Sequence, residues 1–213
     1  MNVLVIGANG QIGRQLVMLL QQEGKHKVTA MVRKQEQEEE LQAKGIETVL
    51  ANLEDRVEVL AEAMQGSDAV VFAAGSGGST GLDKTLLIDL DGAVKTMEAA
   101  EKAGVKRYVI VSAMQAHNRD NWSEEIKPYY AAKHYADRML ESTGLDYTIV
   151  RPGGLVNEPG TGKIAAQENL APGSIPREDV AAVIAALLED RNTYRRAFDL
   201  TSGDTPIADK FRG

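Results

Sequence analysis

The plainest chemical signal in the chain lies near its amino terminus. Gly7-Ala8-Asn9-Gly10-Gln11-Ile12-Gly13 has the spacing G-x-x-G-x-x-G. The apolar run Val3 to Ile6 precedes it, and Ile12, Leu16, Leu19 and Leu20 follow at helical spacing. Glycine at the first position permits a tight turn. At the second it lets the backbone approach a pyrophosphate, and at the third it lets the helix pack close to the strand. Unpaired amides and the helix dipole then attract phosphate charge. An ordinary strand–helix turn that happens to hold glycines is the competing reading. A strand before the turn and a helix after it favour a dinucleotide site. Its candidate residues are Gly7, Asn9, Gly10, Gln11, Ile12 and Gly13.

The end of the second apolar run bears on which dinucleotide. Sites that prefer NAD place an acid there to bond the ribose 2′-hydroxyl. Here Lys27 to Val32 is followed by Arg33-Lys34. An acid would repel a 2′-phosphate, whereas a guanidinium can clamp one with two parallel bonds. Arg33, assisted by Lys34, therefore predicts NADP(H) in preference to NAD(H). The competing reading is a surface arginine beside a charged helix.

Other chemistries find little support. The chain has no cysteine, which removes disulfides, thiolate metal sites and a thiol nucleophile. Its three histidines are scattered without metal-ligand spacing, so no metal is expected. Ser112 lies in Val111-Ser112-Ala113, without the G-x-S-x-G turn of a serine hydrolase. His117 and Trp122 fall in a polar loop, where exposure is the plain expectation. The net charge of −7 disfavours nucleic acid as a partner. Val180 to Leu188, the longest apolar run, is far too short for a membrane span. No signal-peptide pattern precedes Val3, so the expected setting is cytoplasmic. A small-molecule substrate is the expected partner, with a monomer or small homo-oligomer as the assembly.

These residues need a scaffold, and the rest of the chain supplies its pattern. With 213 residues, 43% hydrophobic and 26% charged, the sequence suits one globular domain. Strands are predicted at Val3–Ile6, Lys27–Val32, Glu47–Leu50, Asp68–Ala73, Arg107–Ser112, Asp146–Arg151 and Ala197–Leu200. Helices are predicted after Gly10, at Gln35–Lys44, Val57–Met64, Lys84–Ala103, Pro128–Thr143 and Arg177–Glu189. Such alternation predicts an α/β, Rossmann-type doubly wound parallel sheet. Residues 1–151 would form the cofactor sheet and 152–213 a small substrate-side extension of the same domain. Two stretches break the rhythm. Ala113 to Lys127 is polar and aperiodic, and Pro152 to Pro176 is rich in proline. Both follow strands, so both are expected at the carboxyl edge of the sheet, where open α/β folds bind ligands.

Taken together, the motifs resemble the short-chain dehydrogenase/reductase superfamily, within it the small atypical group that is epimerase/dehydratase-like or NmrA-like. The matches span nearly the whole chain. They are the spaced glycines, Ala73-Ala74-Gly75, Asp89-Leu90-Asp91-Gly92, Ser112, the Y-x-x-x-K pair Tyr129 and Lys133, Arg151-Pro152-Gly153, and Ile175 to Ala181. The resemblance implies that Ala73, Ala74, Gly75, Pro152 and Gly153 lie beside the cofactor. It places Asn52 and Leu53 at the adenine, where many relatives carry an Asp. It implies that Ser112 bonds the substrate oxygen and that Lys133 touches the nicotinamide ribose. Asp89 stands where many catalytic members carry Asn, which departs from a proton relay through that position.

The catalytic residues so implied are Ser112, Tyr129 and Lys133. Residues four apart share a helix face, and an ammonium beside a phenol favours the phenolate. Such a tyrosine can give a proton to a carbonyl oxygen or take one from an alcohol. Tyr130, three before Lys133, is the competing tyrosine. The leading expectation is an NADP-dependent oxidoreductase or epimerase acting on a carbonyl or alcohol. Dehydratase relatives place an acid pair after the serine, where this chain has Ala113-Met114. The alternatives are a non-catalytic NADP sensor of the NmrA-like kind and a reductase of flavins or similar planar acceptors. The short extension argues against a nucleotide-sugar substrate.

Overall fold

The computed structural model describes residues 1–77 and 80–211. Its centre is a nine-stranded sheet, and the inner strands explain why. Along β1 (Asn2–Ile6), Val3 and Val5 enter one apolar cluster while Leu4 and Ile6 enter the other. A strand whose two faces are both buried needs cover on both sides, and helices provide it. On one side lie α1 (Gln11–Glu23), which follows β1, and a late helix described below. α1 is followed by β2 (Lys27–Val32), α2 (Gln35–Gln42), β3 (Glu47–Leu50), α3 (Val57–Ala63) and β4 (Ala69–Phe72). α3 contributes Leu60 and Ala61 to the second cluster.

The long helix expected from Lys84 divides in three. A single turn, α4 (Leu82–Lys84), leads into a π-helical stretch at Thr85–Gly92 and then α5 (Ala93–Ala103). Wider π-helical turns are often found at functional sites. Here they bury Thr85, Ile88, Asp89 and Gly92. β5 (Arg107–Val111), α6 (Lys127–Glu141) and β6 (Asp146–Pro152) follow. Pro128 sits in the first turn of α6, where its missing N–H costs nothing.

The two stretches that break the pattern are more ordered than their composition suggests. Ala113 to Lys127 holds 3₁₀ turns at Arg119–Asn121 and Glu124–Ile126, and Ala113 to Ala116 are buried. Pro152 to Pro176 holds β7 (Gly154–Val156), β8 (Lys163–Gln167) and β9 (Ser174–Pro176). These are followed by α7 (Arg177–Leu187), β10 (Arg196–Ser202), β11 (Thr205–Pro206) and α8 (Ile207–Lys210). α7 is the second helix of the α1 side, with Val180, Val183, Ile184 and Leu187 in that core.

The strand order is β11-β8-β10-β6-β5-β4-β1-β2-β3. From β3 to β10 all neighbours run parallel, while at the far edge β8 runs antiparallel to β10 and β11 antiparallel to β8. The run 3-2-1-4-5-6 is the Rossmann arrangement, with its switch of direction between β1 and β4. β10, β8 and β11 continue that sheet, so three strands from the chain beyond Pro152 widen it. The pair β7 and β9 stands apart as a small parallel sheet.

Arg107 fastens α7 to this sheet. Its buried guanidinium donates to the carbonyls of Leu187, Leu188 and Asp146, and stacks 4.5 Å from the Tyr194 ring. Burial lowers its pKa to about 10, still far above neutrality.

Candidate functional site

At the carboxyl ends of β1 and β4 the chain leaves a cleft of about 540 Å³. Open α/β sheets bind ligands at this switch point. The glycine turn forms one wall. Gly7 has φ +81°, and a Cβ there would meet the Ala74 backbone at 2.6 Å. A Cβ on Gly13 would overlap the Gly7 carbonyl. The Gly10 amide donates to Gly7 O at 2.8 Å, and Gly10 caps α1 in an extended conformation. The glycines thus pack the loops and leave Gly7, Asn9 and Gly10, just ahead of α1, lining the opening. Those features fit a pyrophosphate, because the start of a helix carries amides without intrahelical partners.

Nine of the residues expected at the cofactor line this cleft: Gly7, Asn9, Gly10, Arg33, Asn52, Leu53, Ala73, Ala74 and Gly75. Several other residues share it without any local motif to mark them, among them Gln37, Ser76, Thr80, Lys84 and Ile88. Gln11 is exposed at the start of α1, whereas Ile12 and Gly13 are buried in its packing. Lys34 is exposed at the start of α2. Pro152 and Gly153 lie outside the cleft lining, at the end of β6. The lack of a side chain at Gly153 serves packing, since a Cβ would overlap the Gly173 carbonyl.

Arg33 stands at the rim, exposed, with its backbone amide on Gln37 Oε1. Its guanidinium has no carboxylate partner among the described residues. Arg14, the neighbouring guanidinium on α1, is paired with Glu40. Asn52 is held by its own loop: its amide donates to Asp55, and its side-chain oxygen accepts from Glu54 N.

Behind the cleft lies a buried charged group. Lys133 Nζ is 3.1 Å from Asp89 Oδ1 and donates to the Val111 carbonyl at 3.3 Å. Both side chains are almost wholly buried, at 3% and 1% exposed. Burial disfavours the ammonium, but Tyr129, Asp89 and Asp137 outweigh it and hold the Lys133 pKa above its ordinary value. The other oxygen of Asp89 accepts from the Ser76 amide at 3.0 Å, and Ser76 lines the cleft. Asp89 therefore joins the cleft wall to Lys133.

Tyr129, Lys133 and Asp137 succeed one another at four-residue steps and share one face of α6. The Lys133 ammonium is 5.6 Å from the centre of the Tyr129 ring. Asp137 pairs with Arg151 at 2.8 Å, both buried. Burial pushes the Asp137 carboxyl up, and Arg151, Ser112 and Lys133 draw it part of the way back. Ser112 is buried at the end of β5, one residue beyond the carbonyl that Lys133 bonds. The structure thus gathers Ser112, Tyr129 and Lys133 around the end of β5, beside the cleft lining and not within it.

Aromatic rings border Tyr129. Tyr130 meets it edge-on at 6.2 Å and stacks on Trp122 at 6.0 Å and 11°. Burial, with Tyr129 and Asp199 nearby, pushes the Tyr130 hydroxyl pKa up. Trp122 is half-buried, not a free loop residue, and its Nε1 donates to the Ala116 carbonyl. His117 is likewise half-buried and bonds Asn169 at 2.9 Å. Among the described residues no cluster of His, Asp and Glu could hold a metal ion. Among the described residues no helix is long and apolar enough to cross a membrane.

A family model described as NAD(P)H-binding matches residues 7–191. A Bacillus subtilis (strain 168) protein named as an uncharacterized sugar epimerase is 60% identical over 212 residues, covering 100% of this chain and 99% of its own. A solved structure from Bacillus halodurans, described as a candidate NAD-dependent epimerase/dehydratase, is 47% identical with a TM-score of 0.92. The match covers 98% of this chain and 97% of that one. An oxidoreductase from Lactococcus lactis is 32% identical with a TM-score of 0.88, covering 97% of this chain and 93% of its own.

Proposed function

The chain belongs to the NAD(P)H-binding, oxidoreductase- and epimerase-like family, and from that premise we propose that it is an NADP(H)-dependent oxidoreductase acting on a carbonyl or alcohol. The observation that carries the reading is the Lys133 ammonium, fixed 3.1 Å from Asp89 and 5.6 Å from the Tyr129 ring, directly behind a glycine-walled cleft. The nicotinamide, when bound, supplies or accepts the hydride. The amides at the start of α1 that follow Gly10 would hold the pyrophosphate. Arg33 holds the 2′-phosphate, for which it has an uncommitted guanidinium.

Tyr129 acts as general acid on the carbonyl oxygen and as general base on the alcohol in the reverse direction. Lys133 supports the charge that forms on the phenol oxygen. Asp89 keeps that lysine charged within a dry interior, and Ser112 orients the group beside it. An epimerase would use the same residues twice, removing and returning hydrogen at one carbon.

The Trp122–Tyr130 stack next to Tyr129 favours a second reading, a flat conjugated acceptor that lies on those rings. One experiment separates the readings. NADPH oxidation is followed against panels of carbonyls, sugar nucleotides and flavins, for the native protein and Tyr129→Phe. Turnover of a carbonyl that Tyr129→Phe abolishes supports the first reading. Flavin turnover that Tyr129→Phe leaves intact supports the second. NADPH binding without turnover anywhere would favour a sensor.

A further inference from the structure

Asp199 lies in β10 and is wholly buried. Its contacts reach two different segments of chain. Oδ1 accepts from the Gln115 backbone amide at 3.1 Å. Oδ2 accepts from Gln115 Nε2 at 2.5 Å and from the Leu170 amide at 3.1 Å. Gln115 belongs to the stretch that follows β5, and Leu170 to the stretch that follows β6. The first stretch leaves the carboxyl end of β5 and leads into α6, which carries Tyr129, while Leu170 lies three residues beyond β8, whose Gln167 pairs with Asp199.

Gln115 shows that the arrangement is imposed. It is buried and has φ +60°, a left-handed conformation that residues with side chains seldom adopt. Such strain persists only where the surroundings over-determine it. Its side-chain oxygen accepts from Asn121 at 2.7 Å, just before Trp122. A second stitch runs alongside, from His117 to Asn169 at 2.9 Å. Sheet contacts do not require any of this. A carboxylate with two acceptor oxygens is the one side chain of its size that can receive all three N–H groups at once.

We propose that Asp199 locks the two segments into a single preformed collar around the substrate opening, so that one buried carboxylate sets the shape of that opening. Asp199 is on this view a positioning residue that determines specificity without touching substrate. The proposal rests on reading the Tyr129 edge as the substrate side.

The test is Asp199→Asn in the full chain. The amide replaces one acceptor with a donor, so whichever way it turns it faces an N–H of one segment. Hydrogen exchange at the Gln115 and Leu170 amides should both accelerate by about tenfold or more. Trp122, the single tryptophan, reports the first segment: its emission should move to the red and acrylamide quenching should rise. NADPH binding should stay within about twofold, because the glycine cleft is untouched. With 9,10-phenanthrenequinone as acceptor, KM should rise while kcat changes little.

Faster exchange in one segment with native behaviour in the other would overturn the proposal, as would a comparable loss of NADPH affinity. Should Asp199→Asn fail to fold, Gln115→Gly decides. It tolerates the positive φ but removes the side-chain links, and it should still loosen Leu170 if the collar is one unit. An unchanged Leu170 amide would refute the coupling. Absence of quinone turnover by the native protein would count against the hydride-transfer reading, while the exchange result would still decide this one.

Discussion

The Lys133 ammonium lies 3.1 Å from the Asp89 carboxylate, with both groups out of contact with water. Neither charge could be buried alone, because taking an ion out of water is tolerated only when a counter-ion replaces the lost hydration. The partners come from different elements of the fold. Lys133 sits on α6 in a recognisable pattern with Tyr129, while Asp89 sits in the π-helical stretch and also holds the Ser76 amide of the cleft wall.

Removing either partner should therefore be costly. Lys133→Met or Asp89→Asn should each lose about 3–5 kcal/mol of stability, the usual cost of stranding a buried charge. The double variant should lose clearly less than the sum of the two. Urea unfolding of the four proteins measures the coupling, and additive losses would mean that the pair is not the interaction that matters.

Arg33 yields a prediction about cofactor choice. A charge-assisted bond to phosphate contributes about 1.5–3 kcal/mol, so Arg33→Ala should weaken NADPH binding roughly 10- to 100-fold. NADH lacks the 2′-phosphate, and its affinity should hardly change. Calorimetric titration with both cofactors distinguishes this from a general loss of binding. Equal affinities in the native protein would defeat the NADP assignment.

The third glycine of the turn can be tested without a ligand. A Cβ on Gly13 would overlap the Gly7 carbonyl, which is backbone and cannot rotate away. Gly13→Ala should destabilise by about 1–3 kcal/mol, the range for overpacking, and should weaken NADPH binding as the turn shifts. Thermal melts with and without NADPH would show both effects.

These residues differ in how readable they were in the sequence. The glycine turn is legible because backbone packing against backbone has one cheap solution, the absence of a Cβ. The inner strands are legible because burial on both faces leaves continuous apolar runs such as Ala69–Phe72. β7, β8, β9 and β11 escape notice because short strands among prolines are defined by their partners, not by a period of their own. The π-helical stretch reads as ordinary helix, since its buried residues Thr85, Ile88, Asp89 and Gly92 keep a helical spacing. Asp199 carries no local signal at all, and Asp89, though part of the Asp89-Leu90-Asp91-Gly92 motif, gives no hint of its pairing with Lys133. Their roles arise only when distant segments are brought together, as with Ser76, Lys84 and Gln37 in the cleft.

The two adjacent tyrosines should behave differently. Tyr129 has Lys133 beneath it, whereas Tyr130 stacks on Trp122. Removing a general acid typically costs 10²–10⁴-fold in turnover, which is the expected loss for Tyr129→Phe. Tyr130→Phe keeps the stacking ring and should stay within about tenfold. Similar losses in both would undo the assignment of the proton donor.

His134 makes stability near the substrate side depend on pH. It is buried, its Nδ1 bonds the Ala116 carbonyl, and Trp122 packs edge-on against it. Burial lowers its pKa below the ordinary value, against the pull of that carbonyl. His26, also buried, is lowered for the same first reason. In the unfolded chain each takes up a proton at about pH 6.5, while the folded protein keeps the ring neutral to lower pH. The unfolded state then binds more protons, so stability falls as pH drops below that value. Asp137 acts in the opposite sense, because its raised pKa favours the fold on the acid side. The histidine contribution is therefore read as a difference between proteins. Between about pH 7.5 and 5 the urea midpoint of the native protein should fall further than that of His134→Gln, whose neutral amide cannot take the proton. Trp122 fluorescence followed in the same titrations should shift along with the native transition. Parallel pH dependence in the two proteins would show that His134 does not carry the effect.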